Sequence, residues 1–271
     1  MKLSRIGEIG LLAELERRGL IVGVEHDAAQ LAGNRVVTQD ALVEGVHFRL
    51  DWISFRDLGY RAAAVNLSDL AASGADPEAF AVILGAPPST DSDDIVELYE
   101  GIAECGVPVV GGDTTSASEL SIVVTAIGHS ARVPGRDGAR PGDVLVITGP
   151  LGGASAAFRD GRYLRPPRRI DEGKKLARTA HAMLDISDGI AVDAGHLARR
   201  SEVHCVIELD AVPLGEGATI DDLGFGEDYE LLAAVEDAGD FPVIGRVETG
   251  MGLELLRDGV PAALQGYEHY R

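Results

Sequence analysis

Basic residues are scarce in this chain, and lysine is almost absent. The 271 residues include 24 Lys and Arg against 44 Asp and Glu, which gives a formal net charge of −20. Lysine occurs only at Lys2, Lys174 and Lys175. Such a chain repels nucleic acid and anionic membrane surfaces, so the composition argues against both as partners. An anionic substrate would need metal ions to bridge it to the protein.

Cysteine and long apolar segments are also scarce. Cys105 and Cys205 lie far apart and have no partners at metal-binding spacing, which predicts two reduced thiols. Glutamates interrupt the apolar residues near the N-terminus, a pattern unlike that of a signal peptide. No apolar run approaches the roughly 20 residues that span a bilayer. We therefore expect a soluble, cytoplasmic protein that does not enter a membrane.

The common nucleotide-binding and nucleophile motifs are missing too. Residues 111–115, Gly-Gly-Asp-Thr-Thr, are predicted to follow a buried strand at 107–110, but no Walker A Gly-Lys-Ser/Thr is present. No Gly-x-Gly-x-x-Gly stands between a strand and a helix, and no Ser-His-Asp or reactive-cysteine signature is found. Any phosphate chemistry must therefore use another arrangement.

What the sequence does contain is a set of aspartates among small and aliphatic residues. Each one alone is typical of a helix cap or a turn. None has a lysine or arginine within three residues, and a buried carboxylate must be paired or bind metal. Together they predict a shared oxygen-ligand site for Mg²⁺ with phosphate, built where strand ends converge. The six are Asp27, Asp40, Asp69, Asp113, Asp185 and Asp188.

Helical and strand patterns alternate along the chain and predict two α/β units. A strand is predicted at Arg35–Val43 and an alanine-rich helix at 55–73, ended by Gly74. Residues 132–143 are dense in proline, glycine and charge, which indicates a connector. We place the domain boundary there, with domains at 1–131 and 132–271.

Three further segments carry side chains with possible chemistry. Residues 185–189, Asp-Ile-Ser-Asp-Gly, are predicted to begin a helix, where Ser187 and the helix N-terminus favour phosphate. Residues 226–230, Gly-Glu-Asp-Tyr-Glu, are typical of a solvated acidic turn. His47 follows the strand at 35–43 and, by itself, is typical of a structural histidine.

Taken in order, these segments resemble the thiamine-monophosphate kinase family, within the superfamily of aminoimidazole ribonucleotide synthetase. The resemblance extends from about Gly7 to the C-terminus, and the ordered set is specific although no single motif is. The matching segments are Leu-Val-Glu-Gly-Val-His-Phe at 42–48, Asn-Leu-Ser-Asp-Leu-Ala-Ala at 66–72, the segments at 111–115, 185–189 and 226–231, and Gly-Tyr-Glu-His-Tyr at 266–270.

The resemblance implies ATP-dependent phosphorylation of thiamine monophosphate to thiamine diphosphate. From this reaction we infer direct in-line transfer assisted by several Mg²⁺ ions. It implies an α/β fold of the α+β type, with two domains whose mixed sheets are covered by helices, and a homodimer formed through the N-terminal sheets. By matched position it places Mg²⁺ on the six aspartates. It places ATP on Gly112, Asp113, Arg136 and Ser187, and the thiamine substrate on His47, Glu227 and Tyr267.

The chain departs from the family pattern at three places. The family usually has Gly-Asp-Asp where this chain has Glu25-His26-Asp27, Thr or Ser where it has Gln39, and an aromatic residue where it has Cys105. His26 either alters the metal site or points to solvent, and we favour solvent. Tyr267 either contacts the thiamine rings or anchors the C-terminal segment.

Two kinds of alternative function remain open on the sequence. Selenophosphate synthetase would need a reactive Cys or selenocysteine with a Lys near the N-terminus, and the hydrogenase-maturation dehydratase would need a C-terminal Cys. This chain has neither, since its first cysteine is Cys105 and it ends in Tyr270-Arg271. A non-catalytic protein that binds nucleotide or thiamine phosphate is the alternative of a different class, and release of ADP would separate it from an enzyme.

Overall fold

The computed structural model describes residues 2–22 and 26–267 of the chain. It contains two mixed sheets with helices packed against them, so the predicted α/β fold of the α+β type is confirmed. The first sheet ends at His129 and the second begins at Val144. The residues between them form neither helix nor strand, and the predicted domain boundary falls within this connector.

The helices of the described residues are α1 (Leu3–Arg17), α2 (Phe55–Ala72), α3 (Ser92–Ala103), α4 (Gly153–Arg159), α5 (Ile170–Ala177) and α6 (Ile190–Arg200). The strands are β1 (Ala29–Leu31), β2 (Arg35–Val43), β3 (Asp76–Ala86), β4 (Val109–Ser116), β5 (Ser121–His129), β6 (Val144–Ile147), β7 (Ala182–Asp185), β8 (His204–Glu208), β9 (Leu231–Val235), β10 (Val243–Glu248), β11 (Gly252–Arg257) and β12 (Val260–Ala262). Short 3-10 turns occupy Leu209–Ala211 and Ile220–Gly224. No helix of the described residues is long and apolar enough to cross a membrane.

The first sheet has the strand order β1-β2-β5-β3-β4. All neighbouring pairs are antiparallel except β3 and β4, which are parallel. In β5, buried residues alternate with half-buried ones, as expected for a sheet that has one face in the core. Ile122 and Val124 on this face pack with Leu67 of α2 and Phe80 of β3 in one apolar core.

Strand β4 differs from the buried strand predicted at residues 107–110. The strand begins at Val109, continues through the two glycines to Ser116, and is exposed along its whole length because it lies at the sheet edge. Gly112 has a φ of 145°, and a Cβ there would lie 1.8 Å from the carbonyl oxygen of Val82. Glycine is therefore required for β4 to pair closely with β3.

The second sheet has the strand order β12-β11-β8-β10-β6-β9-β7. Every residue of β9 is buried, because helices pack on both faces of the sheet at this point. One core contains α6, and a second contains the end of α2 together with Leu176 of α5 and Met183 of β7. Helix α2 therefore contributes to the cores of both units.

The position of α2 follows from its local sequence. Ser54 caps its N-terminus by accepting a hydrogen bond from the backbone N–H of Asp57 at 3.0 Å. Gly74, with a φ of 62°, ends the helix as predicted. Glycines also allow close helix contacts: a Cβ on Gly59 would lie 1.8 Å from the Leu98 carbonyl oxygen of α3, and a Cβ on Gly173 of α5 would lie 2.2 Å from that of Ala71.

Residues 165–169, between α4 and α5, tie the second unit to the first. Arg165 donates hydrogen bonds to Asp57 and Glu104, both at 2.6 Å. The hydroxyl of Tyr60 donates to the carbonyl oxygen of Pro166 at 3.3 Å, and Arg168 donates to the carbonyl oxygen of Cys105 at 2.9 Å. The segment therefore holds α2 and α3 against the second unit.

Gly101→Ala should destabilise the protein because α3 cannot move away from α2 without opening the core. A Cβ on Gly101 would lie 1.9 Å from the carbonyl oxygen of Arg56. We expect urea denaturation to show a loss of about 1–3 kcal/mol in the free energy of unfolding, despite the better helix propensity of alanine.

Gly195→Ala is the matched control. Apart from its chain neighbours and the nearby backbone of α6, no described atom lies within 4 Å of the position that its Cβ would take. This substitution should stabilise the protein by up to about 1 kcal/mol. Equal free energies of unfolding for the two variants would contradict the packing argument.

Candidate metal and phosphate site

Three of the predicted aspartates converge on one point. Carboxylate oxygens of Asp27, Asp69 and Asp185 all lie within 4.8 Å of one another. Asp27 precedes β1, Asp69 belongs to α2, and Asp185 ends β7, so both units contribute. The structure thus brings together three of the six aspartates of the predicted shared site, and Asp69 lies on a helix and not at a strand end.

Each of the three carboxylates is held by a residue from another segment. The hydroxyl of Ser68 donates to Asp185 at 2.7 Å, across the boundary between the two units. Arg136 of the connector donates from its Nε to Asp27 at 2.9 Å. The hydroxyl of Thr38 on β2 donates to Asp69. These contacts from other segments orient the three carboxylates.

Burial and repulsion from neighbouring carboxylates raise the pKa values of Asp69 and Asp185. Burial, followed by the charge of Asp27, raises the pKa of Asp185 from 3.8 to about 8. Burial and neighbouring aspartates also place the pKa of Asp69 well above its ordinary value. Such a group of oxygen ligands is suited to a hard divalent cation, which would offset the repulsion.

Asp40 belongs to the same electrostatic neighbourhood. Its backbone N–H donates to the side-chain oxygen of Asn66 at 3.2 Å, which connects β2 to α2. Burial raises the pKa of Asp40 to about 6, with further contributions from Asp27, Glu227 and Asp188. Asp40 and Asp188 therefore lie near the three converging aspartates.

The segment before α6 carries Ser187 and Asp188 and is supported by a residue that sequence reasoning missed. The buried carboxylate of Asp193 accepts a hydrogen bond from the backbone N–H of Asp188 at 3.0 Å. The carbonyl oxygen of Ser187 accepts one from the N–H of Glu227 at 2.8 Å. The only signal in the sequence was an aspartate one turn into a predicted helix.

Asp113 and Gly112 lie outside the converging group. Both are exposed on the edge strand β4, and Asp113 is paired in register with Ile83 of β3. The argument from burial therefore does not apply to Asp113. The roles of Asp113 as a metal ligand and an ATP-binding residue remain predictions. The role of Gly112 as an ATP-binding residue also remains a prediction.

The structure shows the surroundings of three residues that depart from the family pattern. The Nδ1 atom of His26 is buried without a hydrogen-bond partner among the described residues, so the ring does not simply point to solvent as we expected. Gln39 is exposed and accepts a hydrogen bond from the Thr125 hydroxyl at 2.8 Å, away from the Thr38 contact. Cys105 is buried, which raises the pKa of its thiol to about 11. Glu25 lies outside the described residues.

A second group of side chains contains His47 and Glu227, two of the residues predicted to bind the thiamine substrate. It also contains Arg61, which the sequence analysis missed. Arg61 of α2 donates to the carbonyl oxygen of His47 at 2.6 Å and to the carboxylate of Glu227 at 2.5 Å. The ring Nδ1 of His47 accepts a hydrogen bond from the N–H of Val43, so the histidine also stabilises the turn after β2, as its sequence context predicted.

Tyr267 lies beside this second group. Its backbone N–H donates to the carbonyl oxygen of Asp188 at 3.0 Å, which anchors the C-terminal segment. Burial, followed by the charges of Asp188, Glu8 and Glu227, raises the pKa of its phenol. The ring therefore lies near Glu227, and both roles considered for Tyr267 are compatible with the structure. The rest of the matching tail, residues 268–270, lies outside the described residues.

The prediction of a solvated turn at residues 226–230 is wrong. Asp228 is buried and accepts hydrogen bonds from the backbone N–H of Gly152 at 2.9 Å. Glu230 is buried and forms an ion pair with Arg169 at 2.6 Å, while Thr148 donates its hydroxyl to the same carboxylate. The partners are distant in the sequence, so the acidic run alone could not reveal them.

Aromatic rings from both units meet next to the Glu227 segment. Trp52, in the loop before α2, and Phe158 of α4 have ring centroids 4.7 Å apart. Phe158 lies 5.4 Å from Phe225, which precedes Glu227 by two residues. All three rings are substantially exposed, so they present an aromatic surface beside the second group.

Both units of the chain match known protein domains. Residues 25–130 match the AIR synthase related protein N-terminal domain, and residues 140–256 match the corresponding C-terminal domain. The chain is 31% identical to a thiamine-monophosphate kinase of Aquifex aeolicus over the full length of both proteins. It is 34% identical to one of Pyrococcus horikoshii, covering 87% of this chain and 86% of the relative.

A solved structure described as AaThiL complexed with AMPPCP and TMP superimposes with a TM-score of 0.91. Its sequence is 31% identical, and the match covers 99% of each chain. The similarity thus includes both domains and all the segments that form the two groups of side chains. The chain belongs to the thiamine-monophosphate kinase family, within the AIR synthase related proteins.

Proposed function

We propose that this chain transfers the γ-phosphoryl group of ATP to thiamine monophosphate and so forms thiamine diphosphate. Family membership supports the proposal, as does the similarity to a structure described as a complex with AMPPCP and TMP. The observation that carries it is the convergence of Asp27, Asp69 and Asp185 from both units. Two anionic substrates can approach such a site only if cations neutralise the charge.

The converging carboxylates fit Mg²⁺ better than a transition metal. The ligand atoms available are oxygens, and neither cysteine belongs to the group. Asp27, Asp69 and Asp185 would hold the ion, with Asp40 and Asp188 close by. Bound Mg²⁺ would supply charge neutralisation between the carboxylates and the phosphate oxygens.

The protein's own groups would act by positioning the two substrates. A terminal phosphate oxygen of thiamine monophosphate is already an anion, so in-line attack on the γ-phosphorus of ATP needs no general base. Ser187 precedes the first residue of α6 by three positions. Its hydroxyl can donate a hydrogen bond to an ATP phosphate, and the N-terminus of α6 favours the same negative charge. Arg136 would provide a cation for the same phosphates, and its present partner is Asp27.

The second group of side chains is the proposed thiamine-binding region. Glu227 is a hydrogen-bond acceptor and an anion suited to the cationic thiazolium and the amino group of the pyrimidine. Tyr267 lies near Glu227 and offers a ring face to a cation. His47 reaches the same region through the Arg61 contact that it shares with Glu227.

We also infer a homodimer formed through the first sheet. Strand β4 exposes its full length at the sheet edge, and an unpaired edge is a ready template for association. Val110 is 67% exposed and Ile83 is 44% exposed, which provides apolar surface on β3 and β4. These features support the dimer that the family resemblance implies.

An assay of ADP formation tests the function directly. The protein with ATP and Mg²⁺ should release ADP in the presence of thiamine monophosphate, and thiamine diphosphate should accumulate in equal amount. Thiamine and aminoimidazole precursors should support little turnover. Ligand-induced thermal stabilisation without ADP release would instead identify a binding protein.

Asp185→Asn should abolish turnover while the fold persists. The substitution keeps an acceptor for Ser68 but removes one charge from the metal site. We expect the turnover number to fall by at least about 100-fold, since charge stabilisation by a metal contributes several kcal/mol. Asp160→Asn is the control, because that exposed aspartate pairs only loosely with Arg162 at 3.4 Å. Near wild-type turnover in Asp185→Asn would exclude the metal assignment.

The same variant should stabilise the metal-free protein at neutral and alkaline pH. The Asp185 pKa is raised from 3.8 to about 8 in the folded state, so the carboxyl destabilises the fold increasingly as pH rises between these values. Denaturation of metal-free protein should show a gain for Asp185→Asn that is absent below about pH 4 and largest above about pH 8. A gain that does not change with pH would show that Asp185 is not a buried, repelled carboxyl.

Tyr267→Ala should weaken binding of thiamine monophosphate more than binding of ATP. The backbone anchor to Asp188 is retained in the variant, so the substitution tests the ring alone. We expect the Michaelis constant for thiamine monophosphate to rise roughly 3- to 30-fold, which is the factor that corresponds to the loss of a cation–π contact. Tyr267→Phe keeps an aromatic ring, so its Michaelis constant should remain close to that of the wild type. An equal rise for both substrates would mean that the ring helps to hold the C-terminal segment in place and does not contact the thiamine rings.

A further inference from the structure

We propose that Arg61 is a positioning residue for the thiamine substrate, because its guanidinium sets the separation between the His47 turn and the Glu227 segment. The inference rests on the proposed function, in which His47 and Glu227 bind that substrate. Arg61 acts on the substrate through these two residues.

The geometry of the guanidinium supports this role. Nη1 of Arg61 donates to the His47 carbonyl oxygen at 2.6 Å, and Nη2 donates to Oε2 of Glu227 at 2.5 Å. His47 belongs to the first unit and Glu227 to the second, so one rigid, planar group joins both. The side chain of Arg61 is only 7% exposed, whereas that of Glu227 is 35% exposed. Glu227 is therefore accessible to a ligand, while Arg61 holds the Glu227 carboxylate from the buried side.

The backbone around Glu227 is strained, which indicates that its conformation is imposed. Glu227 has a φ of 62° and Tyr229 a φ of 52°, in the left-handed region that side chains other than glycine rarely adopt. The segment is held by hydrogen bonds from Glu227 N–H to the Ser187 carbonyl oxygen and from Tyr229 N–H to that of Ile186. Such strain is concentrated at functional sites, where the surrounding structure determines the conformation. Arg61 fixes the carboxylate end of the same residue.

The nitrogen atoms of the Arg61 guanidinium are not equally satisfied by hydrogen bonds. Its buried Nε atom and the buried hydroxyl of Tyr163 have no hydrogen-bond partner within the described part of the chain. The two side chains are close enough to interact electrostatically. Arg61 thus directs its two Nη donors at His47 and Glu227 while its Nε has no partner among the described residues, which fits a role in orienting those two residues.

The expected consequence is a selective loss of thiamine-monophosphate binding. A small displacement of Glu227 relative to His47 would misplace the acceptor phosphate, and in-line transfer is sensitive to such displacements. Arg61→Met removes both donors while keeping much of the side-chain volume. Arg61→Lys keeps the charge but presents one ammonium, which does not match two separated acceptors as a guanidinium does.

Steady-state kinetics of these variants in the full-length protein test the inference. We expect Arg61→Met to raise the Michaelis constant for thiamine monophosphate at least about 10-fold and that for ATP less than about 3-fold, with Arg61→Lys intermediate. Lys174→Met is the matched control, because Lys174 of α5 pairs with Asp76 of β3 at 2.6 Å and also joins the two units, but at the exposed surface. It should leave both constants unchanged.

A double-mutant cycle with Glu227→Gln separates positioning from general stabilisation. If Arg61 acts through Glu227, the effects of Arg61→Met and Glu227→Gln should not add. The Michaelis constant of the double variant for thiamine monophosphate should then be close to the higher of the two single-variant values. Additive effects, or equal rises in both Michaelis constants, would overturn the proposal. Should Arg61→Met fail to fold, Arg61→Lys in the same cycle provides the test. Wild-type protein that releases no ADP would instead refute the proposed function itself.

Discussion

Repulsion among buried carboxylates is the constraint on which the site depends. Oxygens of Asp27, Asp69 and Asp185 lie within 4.8 Å, and burial raises the pKa values of Asp69 and Asp185. A fold that holds these groups together is under electrostatic strain until a cation binds. The chain tolerates that strain because Ser68, Thr38 and Arg136 each hold one carboxylate. The result is a group of carboxylates suited to the metal and phosphate of the proposed function, at some expense of stability.

Helix α2 makes this arrangement possible because it packs against both sheets. Its polar residues are nearly all directed at other segments: Asn66 at β2, Ser68 at the end of β7, and Arg61 at the turn after β2 and the Glu227 segment. Alanines and glycines occupy the positions where α3 and α5 approach closely. The helix therefore contributes to the cores of both units and also supports the three converging aspartates and the second group around Arg61. A change in its packing would move both groups together.

Local patterns predicted the elements of the fold well. The strand at Arg35–Val43 has the predicted bounds, and the helix predicted at 55–73 ends one residue earlier, before Gly74. The errors arose where distant segments determine the environment. Strand β4 was predicted to be buried because it is apolar, yet it lies at a sheet edge. The acidic run at 226–230 was predicted to be solvated, yet Asp228 and Glu230 are buried against Gly152 and Arg169.

The sequence by itself determined the chemical character of this protein: an acidic chain, aspartates in apolar surroundings, and an ordered set of segments that resembles one kinase family. These properties depend on residue type and short spacing, which can be read without a fold. Only the tertiary structure decided which charges meet. Arg136 and Asp27 are 109 residues apart, and Arg61 and Glu227 are 166 apart. Such pairs form because both units pack against α2, and nothing in the local sequence encodes that proximity.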